Sequence, residues 1–357
     1  MAALPAQVTD AGMHPRALAR MLGENGYFRR SSSAYSPEAN HKEWLHFAVH
    51  APGLDLLANF SVVDDVRGKL RGDEIARITC LVRERNWDGD IDQYSVSEIE
   101  LRRGHIDVRF GDSSVTLDQD ALHLRVRMQR RPIEIDLRLV PRAMPTPAFN
   151  LFVKDCPPIN WLVVPRLTAS GTVKVDGRTH HLRDAAAYHD HNWGHFRWGK
   201  DFAWEWGYGS PESTDNPWTM VFVRLNDRGH VSDLMQALFL WKGPLQERLF
   251  RATELEVWHD GMLHQRSLFK LPRVMGVVSP GTACDVPQRL NLRARGQGDR
   301  VEFEFKCQEA AQVIIPNDEN LGVTIINEVS GQLSLDGVVR GERISMECPS
   351  IFEFLSD

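Results

Sequence analysis

The chain is short of cysteines, and those it has are not grouped. Cys80, Cys156, Cys284, Cys307 and Cys348 are scattered, odd in number and without a Cys-x-x-Cys spacing. That argues against a disulfide framework and a thiolate zinc site, and buried thiols are expected instead. Long apolar runs are missing as well. No stretch approaches the roughly 18 apolar residues of a membrane span, and the N-terminus lacks a charged start followed by an apolar run. A cytoplasmic protein without stable membrane insertion is therefore expected. Long helical periodicity is absent, and neither a Walker sequence nor a dinucleotide glycine fingerprint occurs, which excludes α/β folds with nucleotide-binding crossovers. The net charge of -6 carries both signs interspersed, so no basic face suggests nucleic acid. Even the arginine-rich stretch Arg125 to Arg131 alternates with Leu124, Val126 and Met128 and reads as the wet face of a strand. No Gly-x-Ser-x-Gly elbow occurs and no cysteine has a histidine beside it, so nucleophilic catalysis finds little support.

What is present is strand pattern. A chain of 357 residues exceeds what one hydrophobic core usually fills, so two domains are expected. One short helical pattern, His14 to Leu22, precedes loop-like Ser31-Ser32-Ser33 and Ser36-Pro37, and residues 1–42 are read as an N-terminal extension. Leu56 to Val62, Glu74 to Val82, Tyr94 to Leu101, Ile106 to Phe110, Leu122 to Met128 and Ile133 to Leu139 alternate apolar and polar residues, as an antiparallel meander does. Two landmarks then recur at nearly equal offsets. Ser170-Gly171 leading to Asp176-Gly177 is matched by Ser330-Gly331 leading to Asp336-Gly337, each read as a strand ending in an Asp-Gly turn. Glu43-Trp44 is matched by Glu205-Trp206. The repeat predicts an all-β chain of two tandem antiparallel β-barrels related by internal duplication, over residues 43–197 and 198–357.

The most specified stretch lies where the copies meet. Four of the ten tryptophans fall between Tyr188 and Tyr208, together with three histidines. On an extended strand Tyr188, Asp190 and Asn192 share one face and His189, His191 and Trp193 the other. Phe202, Trp204, Trp206 and Tyr208 form a second aromatic stripe. Ala203, Glu205, Gly207 and Gly209 lie behind it, a nearly bare face with room for a ligand or another backbone. The counterpart of the histidine run at the end of copy two, Cys348 to Phe354, has no histidine or tryptophan, which places the site on the exit strand of copy one.

Three chemical readings stay open. His189, His191 and His195 resemble a His-x-His metal strand, although the acidic ligand expected a few residues on is missing. Alternatively Asp190 or Glu205 acts as a general acid with its pKa raised by apolar surroundings and His191 as its partner, while Trp and Tyr faces stabilise a cationic transition state. The third reading is structural: the polar groups satisfy buried backbone and the aromatics are core.

Tyr188-His189-Asp190-His191-Asn192-Trp193-Gly194, preceded by the Asp-Gly hairpin and followed by the Trp-rich strand, resembles the signature of the AttH-like and hydroxyneurosporene synthase (carotenoid 1,2-hydratase) proteins. Glu43-Trp44 is similar to the pair that opens their first domain. The resemblance implies two lipocalin-like domains with a ligand cavity, roles for His191 and Trp193, and Tyr188 and Asp190 close by. It also implies a further Tyr and Asp on the next strand, but here Trp218 to Phe222 carries no carboxylate. A terpenoid, polyketide or fatty acyl substrate is thus as open as a carotenoid. The expected protein is an enzyme without a cofactor, a hydratase, isomerase or cyclase acting on a small lipophilic unsaturated substrate. Asp190, His191, Glu205 and Tyr188 would be catalytic, and Trp193, Trp198, Trp204, Trp206, Tyr208, His189 and Asn192 would contact substrate. A lipocalin-like carrier of a lipophilic ligand is the rival.

Overall fold

The computed structural model describes residues 13–30, 40–63, 74–151, 159–212, 215–265, 268–278 and 286–356. The loop read at Ser31 to Pro37 and the residues Cys156 and Cys284 lie outside them. Helix α1 (Pro15–Asn25) starts with proline in its first turn, behind an N-cap in which His14 Nδ1 accepts from the Arg16 amide at 3.2 Å. That position suits proline because the amide it lacks has no helical partner there. Leu22 of α1 and the following Phe28 belong to the core of the first sheet. No helix among the described residues is long and apolar enough to cross a membrane.

The strands that follow form two sheets. The first contains β1 (His41–Ala51), β2 (Leu54–Val63), β3 (Glu74–Arg83), β4 (Trp87–Ser95), β5 (Ile99–Leu101), β6 (Asp107–Phe110), β7 (Ser113–Leu117), β8 (Leu122–Arg127), β9 (Ile133–Pro141), β10 (Thr146–Leu151), β11 (Ile159–Val175) and β12 (Arg178–His195). The second contains β13 (Ala203–Gly209), β14 (Trp218–Asn226), β15 (Asp233–Lys242), β16 (Leu245–Arg251), β17 (Leu255–Met262), β18 (Phe269–Leu271), β19 (Pro287–Gly296), β20 (Asp299–Pro316), β21 (Val323–Val339) and β22 (Glu342–Ser356). Pairing is antiparallel except for β18, which runs parallel to β20.

The duplication is written in the strand order. The first sheet runs β4-β3-β2-β1-β12-β11-β9-β8-β7-β6-β5 and the second β16-β15-β14-β13-β22-β21-β20-β19-β17. In each, four meander strands are followed by the last strand of the copy returning to pair with its first. Ser170-Gly171 and Ser330-Gly331 are equivalent in structure. A Cβ on Gly171 would lie 2.1 Å from the Asp136 carbonyl oxygen, and one on Gly331 2.3 Å from that of Lys306. Both mark a register shift where strands press together.

Two expectations need correction. Asp176-Gly177 is a turn, with both residues at positive φ (48° and 80°), as a two-residue hairpin requires. Asp336-Gly337 is not: both lie inside β21, and the turn falls at Arg340-Gly341 (φ 50° and 79°). The second hairpin is longer, and its turn lies four residues beyond the Asp336-Gly337 dipeptide. Tyr94 to Leu101 is also broken, because Glu98 Oε2 accepts from the Ser95 amide at 2.9 Å and closes a capped single turn between β4 and β5.

Three cores result. One fills each barrel and the third lies between the two. Leu57, Trp161, Tyr188 and Phe196 of the first half pack there with Trp204, Tyr208, Phe239 and Ile351 of the second. Arg83 ties the halves further, reaching Asp55 and Glu309 at 2.8 Å each.

Gly171→Ala is expected to destabilise the fold by on the order of 2–4 kcal/mol, since both a φ of 140° and a carbonyl oxygen oppose a methyl group. Gly177→Ala, with nothing near its Cβ, should cost only about 1 kcal/mol. Denaturant titration of the two variants checks the contrast.

Candidate active site between the two barrels

β12 is two-faced, as its alternation requires. His189 turns into the first barrel, stacked on Phe47 with ring centroids 4.4 Å apart and its Nδ1 2.9 Å from the His46 carbonyl oxygen. His191 turns the same way and meets Glu43 Oε1 at 2.8 Å. Glu43 is fully buried. Burial alone would raise its pKa, but hydrogen bonds from His191, His41 and the Arg29 amide hold it at about 2. Burial pushes the His191 pKa down, so the pair is a neutral imidazole donating to a carboxylate. Trp193 packs beside His191, at 4.6 Å, under the Arg29 guanidinium. These residues anchor the chain entering β1.

The opposite face carries Tyr188, Asp190 and Asn192 into the layer between the barrels. There Asp190 is paired in register with His46 of β1, and Asn192 with Trp44. From the second sheet Trp206 of β13 pairs with Glu353 of β22, which in turn pairs with Glu328 of β21. The two surfaces enclose a cavity of two chambers that share Trp44, His46, Trp204 and Glu353 in their walls. The smaller, of about 70 Å³, adds Trp161, Asp190, Asn192 and Trp206. The larger, of about 520 Å³, adds Trp198, Ile315, Ile326 and Glu328.

Asp190 is the best-positioned carboxyl in this layer. Tyr188 Oη donates to its Oδ2 and Asn192 Nδ2 to its Oδ1, both at 2.8 Å, and the Trp161 side chain bonds it as well. Burial nevertheless pushes its pKa up to about 7, because complete desolvation outweighs those bonds. Glu353, whose Oε1 accepts from Trp204 Nε1, is pushed to about 8 by burial and by the Asp190 charge. Glu328 is raised well above the ordinary carboxylate value by burial and by the Glu353 and Asp190 charges. His46 is lowered to about 4 by burial. At neutral pH the layer thus holds carboxylic acids able to donate a proton and a neutral imidazole able to accept one.

The expected site residues divide accordingly. Asp190, Asn192, Trp198, Trp204 and Trp206 line the cavity, and Tyr188 bonds Asp190 from behind. Tyr208 is buried between the halves, stacked on Tyr188 at 4.6 Å and outside the cavity wall. His189, His191 and Trp193 are inside the first barrel, so His191 is not the partner of Asp190; successive strand residues cannot share a face. Glu205 is corrected too. It points toward the second barrel's core, 3.1 Å from His259 Nε2 and 3.5 Å from Arg224 Nη1, and these partners overcome burial and lower its pKa. The bare face behind the Trp stripe holds no ligand space, since Cβ atoms on Gly207 and Gly209 would meet the Phe352 ring at 2.3 Å and Leu333 at 2.2 Å. The three histidines do not converge, and among the described residues no group of three His, Cys, Asp or Glu side chains is placed to hold a metal ion.

Sequence reasoning missed Trp161, His46, Glu328 and Glu353. Glu353 left a usable signal, an acid inside Ile351-Phe352-Glu353-Phe354-Leu355, where an unpaired charge would be costly. Copy two therefore does contribute to the cavity, contrary to the inference drawn from its lack of histidine.

Neither a protein-family profile nor a curated protein matches the sequence. The structure is similar to that of an AttH-like protein from Nitrosomonas europaea, at 12% identity over 92% of this chain and 95% of that one, with a TM-score of 0.56. It is similar also to CghA (13%, 90% and 93%, 0.58) and to kievitone hydratase from Nectria haematococca (10%, 93% and 96%, 0.55). The chain has the AttH-like, lipocalin-like fold. Each likeness extends over both halves, so the fold expected from Tyr188 to Gly194 and from the repeat is borne out.

Because Asp190 and Glu353 bind protons more tightly folded than unfolded, their contribution to stability is full below about pH 4 and is lost as pH rises through about 7 to 8. The urea midpoint is expected to fall between about pH 5 and pH 9, with a smaller fall in Asp190→Asn. A variant with the wild-type slope would show that Asp190 does not titrate in this range.

Proposed function

We propose that the chain is a cofactor-independent enzyme of hydratase or cyclase type, acting on an apolar unsaturated small molecule held between the barrels. The observation that carries this reading is a buried carboxylic acid, Asp190, with a pKa of about 7 in a chamber walled by Trp44, Trp161, Trp204 and Trp206. A proton delivered from Asp190 to one carbon of a double bond leaves positive charge on the other. The negative faces of the indole rings stabilise that charge. Tyr188 and Asn192 orient the carboxyl and favour the carboxylate formed as the proton departs. His46, opposite in register and neutral, is suited to take the proton released when water adds to the cation. If an internal double bond attacks in place of water, the same charges serve a cyclisation. A resemblance in fold to kievitone hydratase supports the hydration branch.

The test is incubation with terpenoid, polyene, polyketide and unsaturated fatty acyl panels in ¹⁸O-labelled water. Hydration yields a product carrying one labelled oxygen, and cyclisation an isomer of unchanged mass. Asp190→Asn should lower kcat more than about 100-fold while the melting temperature stays within about 5 °C. Absence of conversion throughout, with one lipid recovered unaltered from purified protein, would favour the carrier reading instead.

A further inference from the structure

Glu328 and Glu353 are carboxyl groups that the reaction above does not use. They pair directly across β21 and β22, and Glu353 looks into both chambers. Glu328 is only 7% exposed, lines the larger chamber, and its Oε2 has no hydrogen-bond partner. A buried carboxyl oxygen left open in this way calls for a partner from a ligand, and a positive charge is one that an ionised carboxylate would meet. The basic side chains of the cavity are confined to the larger chamber. Arg77, Arg130 and Arg273 line the larger chamber only, with Asp90, and Lys42 is engaged by the Phe196 carbonyl oxygen at 2.6 Å and Asp318 at 2.9 Å. Among the described residues no lysine or arginine lines the smaller chamber, whose titratable groups are His46, Asp190 and Glu353.

We propose that the cavity binds a positively charged alkylated nitrogen where its two chambers meet, held between the indole rings of Trp44 and Trp204 and the carboxyl of Glu353, with the Glu328 carboxyl beside it in the larger chamber. This rests on the cavity being the substrate site of the reaction above, and it assigns that site a substrate class, an unsaturated lipophilic molecule that carries an alkylated, positively charged nitrogen. Trp44 and Trp204 lie 23° from parallel at 6.5 Å, and Trp198 is 5.4 Å from Trp204, so several indole faces are presented near the carboxyls. Aromatic faces combined with carboxylates are the arrangement that recognises alkylammonium groups. Burial opposes ionisation of Glu353 and Glu328 and keeps their protons on. An entering cation supplies the missing countercharge, and a proton leaves to solvent as an ion pair forms. The alkyl portion then extends along Val313, Ile315 and Ile326 of the larger chamber.

The test is calorimetric titration of the full chain with hexyltrimethylammonium and with 1-nonanol, a neutral probe of equal heavy-atom number, in two buffers of different ionisation enthalpy near pH 7. The cation should bind about tenfold or more tightly than the alcohol and release protons, whereas the alcohol should release none. Glu353→Gln should weaken the cation about tenfold and reduce proton release while leaving the alcohol unchanged. Should that variant not fold, Glu328→Gln is read in the same way, and the wild-type proton release decides by itself. Equal affinity for the two probes, or cation binding without proton release, overturns the proposal. Turnover of neutral alkenes with no preference for the cation would leave the hydratase reading standing and sink this one; cation binding with proton release but no turnover would do the reverse.

Discussion

Desolvation of a few carboxyl groups in the layer between two barrels is the constraint on which the site depends. Asp190, Glu328 and Glu353 are withdrawn from water where two sheet surfaces face one another, and among the described residues no lysine or arginine lines the smaller chamber, where Asp190 and Glu353 stand. In such a medium the neutral acid is favoured. The aromatic wall has two consequences: it removes water, which raises the acids, and it offers the faces against which positive charge is tolerated. One packing arrangement therefore supplies both the proton donor and the environment for the charge it creates.

The duplication explains where such a layer can exist. A single small barrel buries its inner face and leaves its outer face to solvent. Two copies placed outer face to outer face create a third core, and here β1 and β12 oppose β13 and β22 within it. The copies are no longer equivalent in what they bring. The first contributes His46, Asp190 and Asn192; the second contributes Glu353, Glu328 and the Trp204–Trp206 stripe. Their inward faces have meanwhile taken parallel structural roles. Glu43 meets His191 inside the first barrel as Glu205 meets His259 on the second barrel's inner side. In both, the acid of the Glu-Trp pair is tied down by a histidine, and the Trp faces the interbarrel layer.

Much of this could be read from the residues. Alternation along Tyr188 to Trp193 divides the run correctly into two faces, because the period of a strand is set by its backbone. The Ser-Gly landmarks of the two copies are equivalent because each glycine is required where neighbouring strands press together. The Asp336-Gly337 turn misled because a dipeptide can adopt positive φ without being obliged to, and the ladder of β21 with β20 continues through it.

By itself, then, the sequence determined the all-β class, the repeat, the two faces of β12 and the concentration of chemistry near the junction of the copies, since all of these are local in the chain. Only the tertiary structure decided which face meets a cavity, that His191 and Glu205 are structural partners of other groups, and that His46, Glu328 and Glu353 stand beside Asp190. These residues are far apart along the chain, and their chemistry follows from burial and from one another's charges. Those quantities exist only once the two barrels have closed on each other.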